Sequence, residues 1–262
     1  MGYGAPQVVE AQPRIALPFG LFSVVALREA SDPHWTNGVE WQAVSCDPVT
    51  AQEWQDDPDC DTEIENFFRG PAGTGRASAF TAVGSFKCGT PAGRAFQEGE
   101  ENAVADLLAH EQSQVESATW RRMAAEATDL NPGGALDMGP ALAALEDWIG
   151  QEYGALGVIH GTRGAVSVMD TRVSSSGSRL ATKVGTPVVA GAGYRGTSPT
   201  NVAAAVGETW VYASPALFGY RGQVFTTTAL DRAKNDHYAI ATRQYVVGFD
   251  PCGVAAVRMN LA

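Results

Sequence analysis

"EENAVADLLAHEQSQVESATWRRM", Glu100–Met123, is the stretch that decides the fold class. Val104, Leu107, Leu108, Val115, Ala118 and Met123 recur at helical spacing, and the pattern predicts one helix from Phe96 to Ala127. Glu98, Glu100 and Glu101 crowd its start and Arg121 and Arg122 sit toward its end, the polarity that the helix dipole favours. "NPGG", Asn131–Gly134, stops it. At 1.5 Å per residue such a helix is roughly 40–45 Å long, beyond an ordinary globular helix, and so it needs a special role.

Working outward, the N-terminal side reads as extended chain. Pro6, Pro13 and Pro18 prevent a helix in residues 1–20. Leu21–Leu27 and the alternating Gly38–Val44 are strand candidates. A long polar stretch follows, too long for a plain connection, and Ala79–Gly89 closes it as a strand. On the C-terminal side, Pro140–Tyr153 is a second helix presenting Leu142, Leu145, Trp148 and Ile149. "LGVIH", Leu156–His160, is a strand, Arg163–Asp170 a helix, and residues 171–185 a Ser- and Gly-rich loop. Strands are expected at Thr186–Ala190, Glu208–Ala213, Ala216–Phe225, His237–Gly248 and Gly253–Leu261. Strands, a long helix, a second helix and then mixed strands make an α+β order rather than alternating βαβ units.

The totals narrow the function. A chain of 262 residues, 45% hydrophobic, supports one large domain or two small ones with a real core. The net charge of -11 argues against coating nucleic acid by bulk charge. The N-terminus lacks a basic-then-apolar signal, and no apolar run reaches about twenty residues, so the expectation is a soluble protein made in a cytosol. Cys46, Cys60, Cys88 and Cys252 form no C-x-x-C pair. They read either as four thiols or as a framework containing a Cys46–Cys60 bridge.

Three motifs suggest chemistry, and each fails in its context. Gly191-Ala192-Gly193-Tyr194-Arg195-Gly196 spells the dinucleotide fingerprint after a strand, but a turn sequence with Pro199 follows where a helix should open. "GPAGTGRA", Gly70–Ala77, nearly spells a phosphate-binding loop, yet Arg76 and Ala77 replace its Lys and Ser/Thr, leaving a loop tip. Asp57, Asp59 and Asp61 have calcium-loop spacing, but Thr62 replaces the turn Gly and Phe68 the closing Glu. A solvated acidic loop and a weak cation site both stay open there. His34, His110, His160 and His237 are scattered, with no nucleophile–base–orienter set. No catalytic, cofactor or metal residue is assigned, and the chain reads as a structural or binding protein.

The order of elements resembles the tailed-phage major capsid fold, the Hong Kong 97-like fold shared with encapsulin compartments. The resemblance rests on the Glu100–Met123 helix with its Val-Glu-x-x-x-Trp turn, on "PALAALEDWIGQEYGALGVIHGTRGAV", on "LATKVGTPVVAGAGYRG" with "GETWVYASPALFGYR", and on the closing "ATRQYVVGFDPCGVAAVRMNL". It implies an N-terminal arm at 1–35 and an extended loop region at 36–95. A peripheral domain with a spine helix would span 96–185, an axial domain 186–230, and strands returning to the peripheral domain 231–262. It implies a shell protein and no enzyme. Its partners would be its own copies in pentamers and hexamers, double-stranded DNA packaged by confinement, and scaffold, portal or decoration proteins. Assembly contacts would involve Phe67, Phe68, Arg69, Arg76, Val115 and Trp120. An encapsulin-like shell is the alternative, and a small-molecule enzyme using Gly191–Gly196 a second one. Some family members crosslink through Lys and Asn. This chain has only Lys87, Lys183 and Lys234, with Lys87 at the loop base, so crosslinking is not carried over.

Overall fold

The computed structural model describes residues 15–29, 33–43, 73–88 and 95–261. Its axis is α1, Ala95–Glu126, 32 residues long and within one residue of the predicted bounds. Ala103, Leu107, Val115, Trp120, Met123 and Ala124 form its buried stripe. Leu108 is exposed instead, because steps of four from Ala103 and Leu107 carry the stripe past it. Glu111, Glu116 and Thr119 lie within the same stripe and are buried too.

The helix packs on a four-stranded sheet ordered β1–β11–β12–β4, formed by β1 (Leu27–Glu29), β4 (Phe80–Cys88), β11 (Leu217–Asp231) and β12 (Asp236–Phe249). Ala82, Ala239, Ala241 and Tyr245 meet it from β4 and β12. At Gly84 a Cβ would strike the backbone of Ala103 and Leu107, so glycine there lets helix and strand approach this closely.

A seven-stranded sheet, β5–β13–β10–β6–β9–β8–β7, makes the rest. Its strands are β5 (Ala127–Asp129), β6 (Val158–Thr162), β7 (Val173–Ser176), β8 (Arg179–Thr182), β9 (Pro187–Gly191), β10 (Glu208–Ser214) and β13 (Val254–Asn260). Alternation sorts its side chains between two cores. Val189, Trp210, Tyr212 and Ala256 join the α1 core. Val188, Val211, Ala213, Ala255 and Val257 join a second core with α2 (Met138–Trp148) and α3 (Arg163–Val168). A further pair, β2 (Val39–Gln42) with β3 (Thr74–Ala77), frames the two ends of the long polar stretch.

The α+β class holds, and several local expectations are corrected. Leu21–Leu27 is not one strand: Leu21–Ser23 is a 3₁₀ turn, and only Leu27–Glu29 extends. The cause is local, since the Leu21 amide donates to Glu116 and those of Val24 and Val25 fold back onto the Leu21 carbonyl. Residues 171–185 contain the β7–β8 hairpin, closed by Gly177 and Ser178 with Gly177 at φ 60. The Ser-rich composition hid a two-residue hairpin turn. Thr74–Ala77, expected to be loop, is a strand because Trp41 of β2 packs over Gly75. Cys252 is disulfide-bonded, which overturns the reading of four thiols; its partner, like the Cys46–Cys60 pair, lies outside the described residues. β8 pairs with β9, and β11 pairs with β12 on both sides of an irregularity between Arg221 and Val224.

Candidate assembly surfaces

α1 positions most of the polar groups that hold distant segments together. Glu116 is the first. One carboxylate oxygen accepts the Leu21 amide at 3.0 Å and the other the Gly193 amide at 2.8 Å. The side chain is buried, and desolvation holds its carboxyl above the ordinary value, partly offset by these amides. The Gly193 amide, at the centre of the Gly191–Gly196 run, thus points at the protein's own carboxylate. A Cβ on Gly193 would fall on the Ser113 carbonyl of α1, and Gly196 sits at φ 61 against Thr209. Packing on α1 accounts for Gly193, and the left-handed backbone beside Thr209 accounts for Gly196.

The chain just before Leu21 is fixed through its carbonyls. Gln112 donates to Leu17 at 3.1 Å, Arg163 to Pro18 at 2.7 Å, and the Ala190 amide to Phe19 at 2.8 Å. Ile15, by contrast, is 89% exposed. The described chain therefore lifts off the body within three residues of a well-held segment.

Arg122 ties the β2–β3 pair to the helix. It donates to the Arg76 carbonyl at 2.7 Å and to the Val247 carbonyl at 3.0 Å, pairs with Glu126, and lies 4.8 Å from the Phe249 ring centre. Arg76 itself points outward and pairs with Glu40 at 3.5 Å. Between them lies a cleft of about 460 Å³ lined by Arg76, Phe80, Arg121, Arg122 and Val247. On the opposite end of the sheet, Lys87 pairs with Asp236 at 2.8 Å.

A hydrogen-bonded Ser–His pair also exists. His160 Nε2 lies 2.9 Å from Ser214 Oγ, and its Nδ1 lies 2.8 Å from the Tyr194 hydroxyl. Ser214 gives its own proton to the Pro215 carbonyl, so it accepts from Nε2 and Tyr194 donates to Nδ1. All three groups are buried, and desolvation lowers the His160 pKa to about 3. A serine whose proton is committed to a carbonyl in a closed core is no nucleophile. The set instead joins β6, β10 and the glycine turn.

The chain matches no family model and no curated protein sequence. Solved structures do match. The capsid of an empty GTA particle aligns over 98% of this chain and 95% of its own, with TM-score 0.55 and 12% identity. The SrpI encapsulin of Synechococcus elongatus PCC 7942 aligns over 99% and 92%, with TM-score 0.53 and 10% identity. A chain of Microbacterium phage Oxtober96 aligns over 99% and 96%, with TM-score 0.52 and 10% identity. The chain has the Hong Kong 97-like capsid fold.

In this capsid fold the expected contact residues lie apart. Phe67, Phe68 and Arg69 are outside the described residues. Arg76 is exposed on β3. Val115 and Trp120 face the chain's own core. Trp120 donates to Thr197 Oγ1 at 3.0 Å and packs on Tyr194 and Tyr212 with ring centres 5.0 and 4.4 Å away. Both are fully buried within the subunit. Asp57, Asp59 and Asp61 also lie outside the described residues. Sequence reading missed Gln112, Glu116, Arg122 and Arg163. The available signal was Glu111, standing at the core spacing of Leu107 and Val115, which marks an acid the fold must partner.

Proposed function

We propose that the chain is a major capsid protein that self-assembles into the icosahedral head of a tailed bacteriophage, enclosing its double-stranded DNA. The observation that supports this reading is an alignment covering nearly all of this chain and nearly all of capsid and shell proteins. The exposure of Ile15 beside the held Leu17–Phe19 segment and the paired base of a long polar stretch support it further. α1 acts as the spine, residues before Ile15 as an arm, and 43–73 as an extended loop, both of the latter directed to neighbouring copies. Val115 and Trp120 serve assembly by keeping the spine rigid, and Arg76 by lining the loop base. The protein resides in the virion after synthesis in the host cytoplasm, works without a cofactor, and carries no enzymatic activity of its own. DNA is held by confinement, which suits a chain of net charge -11.

Negative-stain microscopy of the purified protein, with nuclease digestion of its contents, tests the reading. Closed shells that form pentamers and hexamers and protect DNA in phage-infected cells support it. Shells that hold a protein cargo favour the encapsulin alternative. A dispersed monomer at high concentration overturns both.

A further inference from the structure

Cys252 is disulfide-bonded, and the strands around it narrow the choice of partner among the chain's other cysteines. It sits in the turn 250–253, where β12 of the four-stranded sheet passes into β13 of the seven-stranded one. Cys88 is out of reach. It stands opposite His237 at the start of the 14-residue β12, whereas Cys252 follows the end of that strand. At about 3.4 Å per residue the separation is roughly 40 Å. The Cα atoms of a disulfide lie within about 7 Å of each other. Cys46 and Cys60 remain, both on the stretch that leaves β2 and returns to β3.

The position of β2 against β12 points to Cys46. Arg122 donates to the Arg76 carbonyl on β3, opposite Glu40, and also to the Val247 carbonyl on β12. One residue further along β2, the Trp41 ring meets Phe218 edge-on with ring centres 4.6 Å apart, and Phe218 stands opposite Gly248. β2 therefore advances in the same direction as β12, with Glu40 level with Val247 and Trp41 level with Gly248. Ala43 continues the pair, donating to the Gly73 carbonyl at 3.2 Å. From there the chain is heading for the turn that holds Cys252. Three further residues span roughly 10 Å, which is enough to bring Cys46 to it. Cys60 lies near the middle of the stretch, and its pairing would close a longer loop at a greater entropic cost.

We propose that Cys46 and Cys252 form a redox-controlled staple, which fastens the β2–β3 pair to the turn joining the two sheets once the chain leaves a reducing cytosol. In that step the two thiols give up two protons and two electrons to a small-molecule disulfide such as oxidised glutathione, which departs as two thiols. A reducing cytosol holds the pair open. Arg122 crosses the same seam without a covalent bond, so β2–β3 is positioned before the sulfurs join. The timing rests on the capsid reading above, whereas the pairing does not.

The test is disulfide mapping. Thiols are blocked with iodoacetamide in denaturant, and the chain is digested without reduction and read by mass spectrometry. One sample comes from cells lysed anaerobically in the blocking reagent, the other from purified particles held with oxidised glutathione. A Cys46–Cys252 peptide should be scarce in the first and dominant in the second. A Cys60–Cys252 or Cys46–Cys60 peptide in its place overturns the pairing. The Cys46–Cys252 peptide at full level inside the cell overturns the timing, and blocked Cys46 and Cys252 in both samples overturns the staple. Hydrogen exchange reads its effect. Dithiothreitol should speed the amides of Val39–Gln42 and Thr74–Ala77 about tenfold in the wild type and in Cys60→Ser, but not in Cys46→Ser, where they are fast already. Exchange that ignores the reductant in the wild type means that the bond fastens nothing. A chain that forms no particles removes the capsid reading and the timing, and the pairing is then decided by the same mapping on free subunits.

Discussion

At the scale of single residues, two buried titratable groups set opposite pH responses. Burial holds the Glu116 carboxyl above its ordinary 4.5, so the folded chain binds that proton more tightly than the unfolded one. Its contribution to stability is full below 4.5 and is lost as the pH rises through the raised value. His160 is displaced the other way, from 6.5 to about 3, also by burial. Its contribution is full above 6.5 and is lost as the pH falls toward 3. On unassembled subunits, urea unfolding at pH 7.5 and pH 5 should therefore show a loss on acidification. His160→Gln should flatten that loss. Glu116→Gln should steepen it, because the group that relaxes in acid is gone. The same Glu116→Gln should lower stability at pH 7.5 by about 1–3 kcal/mol, since a carboxamide sets its NH₂ against the amide of Leu21 or Gly193. A variant as stable as wild type would mean that this bridge holds nothing.

At the scale of elements, what was legible depended on how locally each signal was written. α1 was legible because 32 residues repeat one stripe and "NPGG" ends it. The strands Phe80–Cys88, Glu208–Ser214 and Val254–Asn260 were legible from β-branched and apolar runs bounded by turns. Leu21–Ser23 was not, because its turn is imposed by Glu116, 95 positions away. The glycine fingerprint was legible as a failure of context, but its cause, a carboxylate from α1 under the turn, is tertiary. The polar contacts of Arg122 were hidden for the same reason: position and charge suggested only a dipole partner. Arg122→Ala removes donors to Arg76 and Val247 and a ring contact with Phe249. It should cost about 2–4 kcal/mol, read by urea unfolding, with β2–β3 amides exchanging fastest. The β2–β3 pair also fixes where the loop may be cut. Replacing residues 61–71 by a short Gly-Ser linker keeps Thr74–Ala77 paired with β2 and leaves every cysteine in place. Circular dichroism should be unchanged, while particles disappear from sedimentation profiles. Normal particles from that chain would remove the loop from assembly.

At the scale of the whole molecule, the two cores stabilise the subunit, and on the proposed capsid reading the surfaces left open are closed by other copies. Val8, Val9 and Ile15 are the apolar side chains of the first 15 residues besides Met1, Tyr3 and small residues. Ile15 makes little use of its own body, being 89% exposed. Each such side chain fully buried against a neighbour contributes roughly 1.5–3 kcal/mol. Contacts that close around a shell repeat that contribution at every boundary. Removal of residues 1–14 tests this and keeps the bonds from Gln112, Arg163 and Ala190, which begin at Leu17. A cut through Pro18 would sever two of those bonds and confuse subunit stability with shell stability. Truncated subunits should melt within a degree or two of the full chain, whereas truncated particles should melt markedly lower or fail to form. Calorimetry of subunits and particles side by side separates the two. Equal melting of full-length and truncated particles would place the cohesion of the shell elsewhere, in the 43–73 loop and the Arg76–Arg122 cleft.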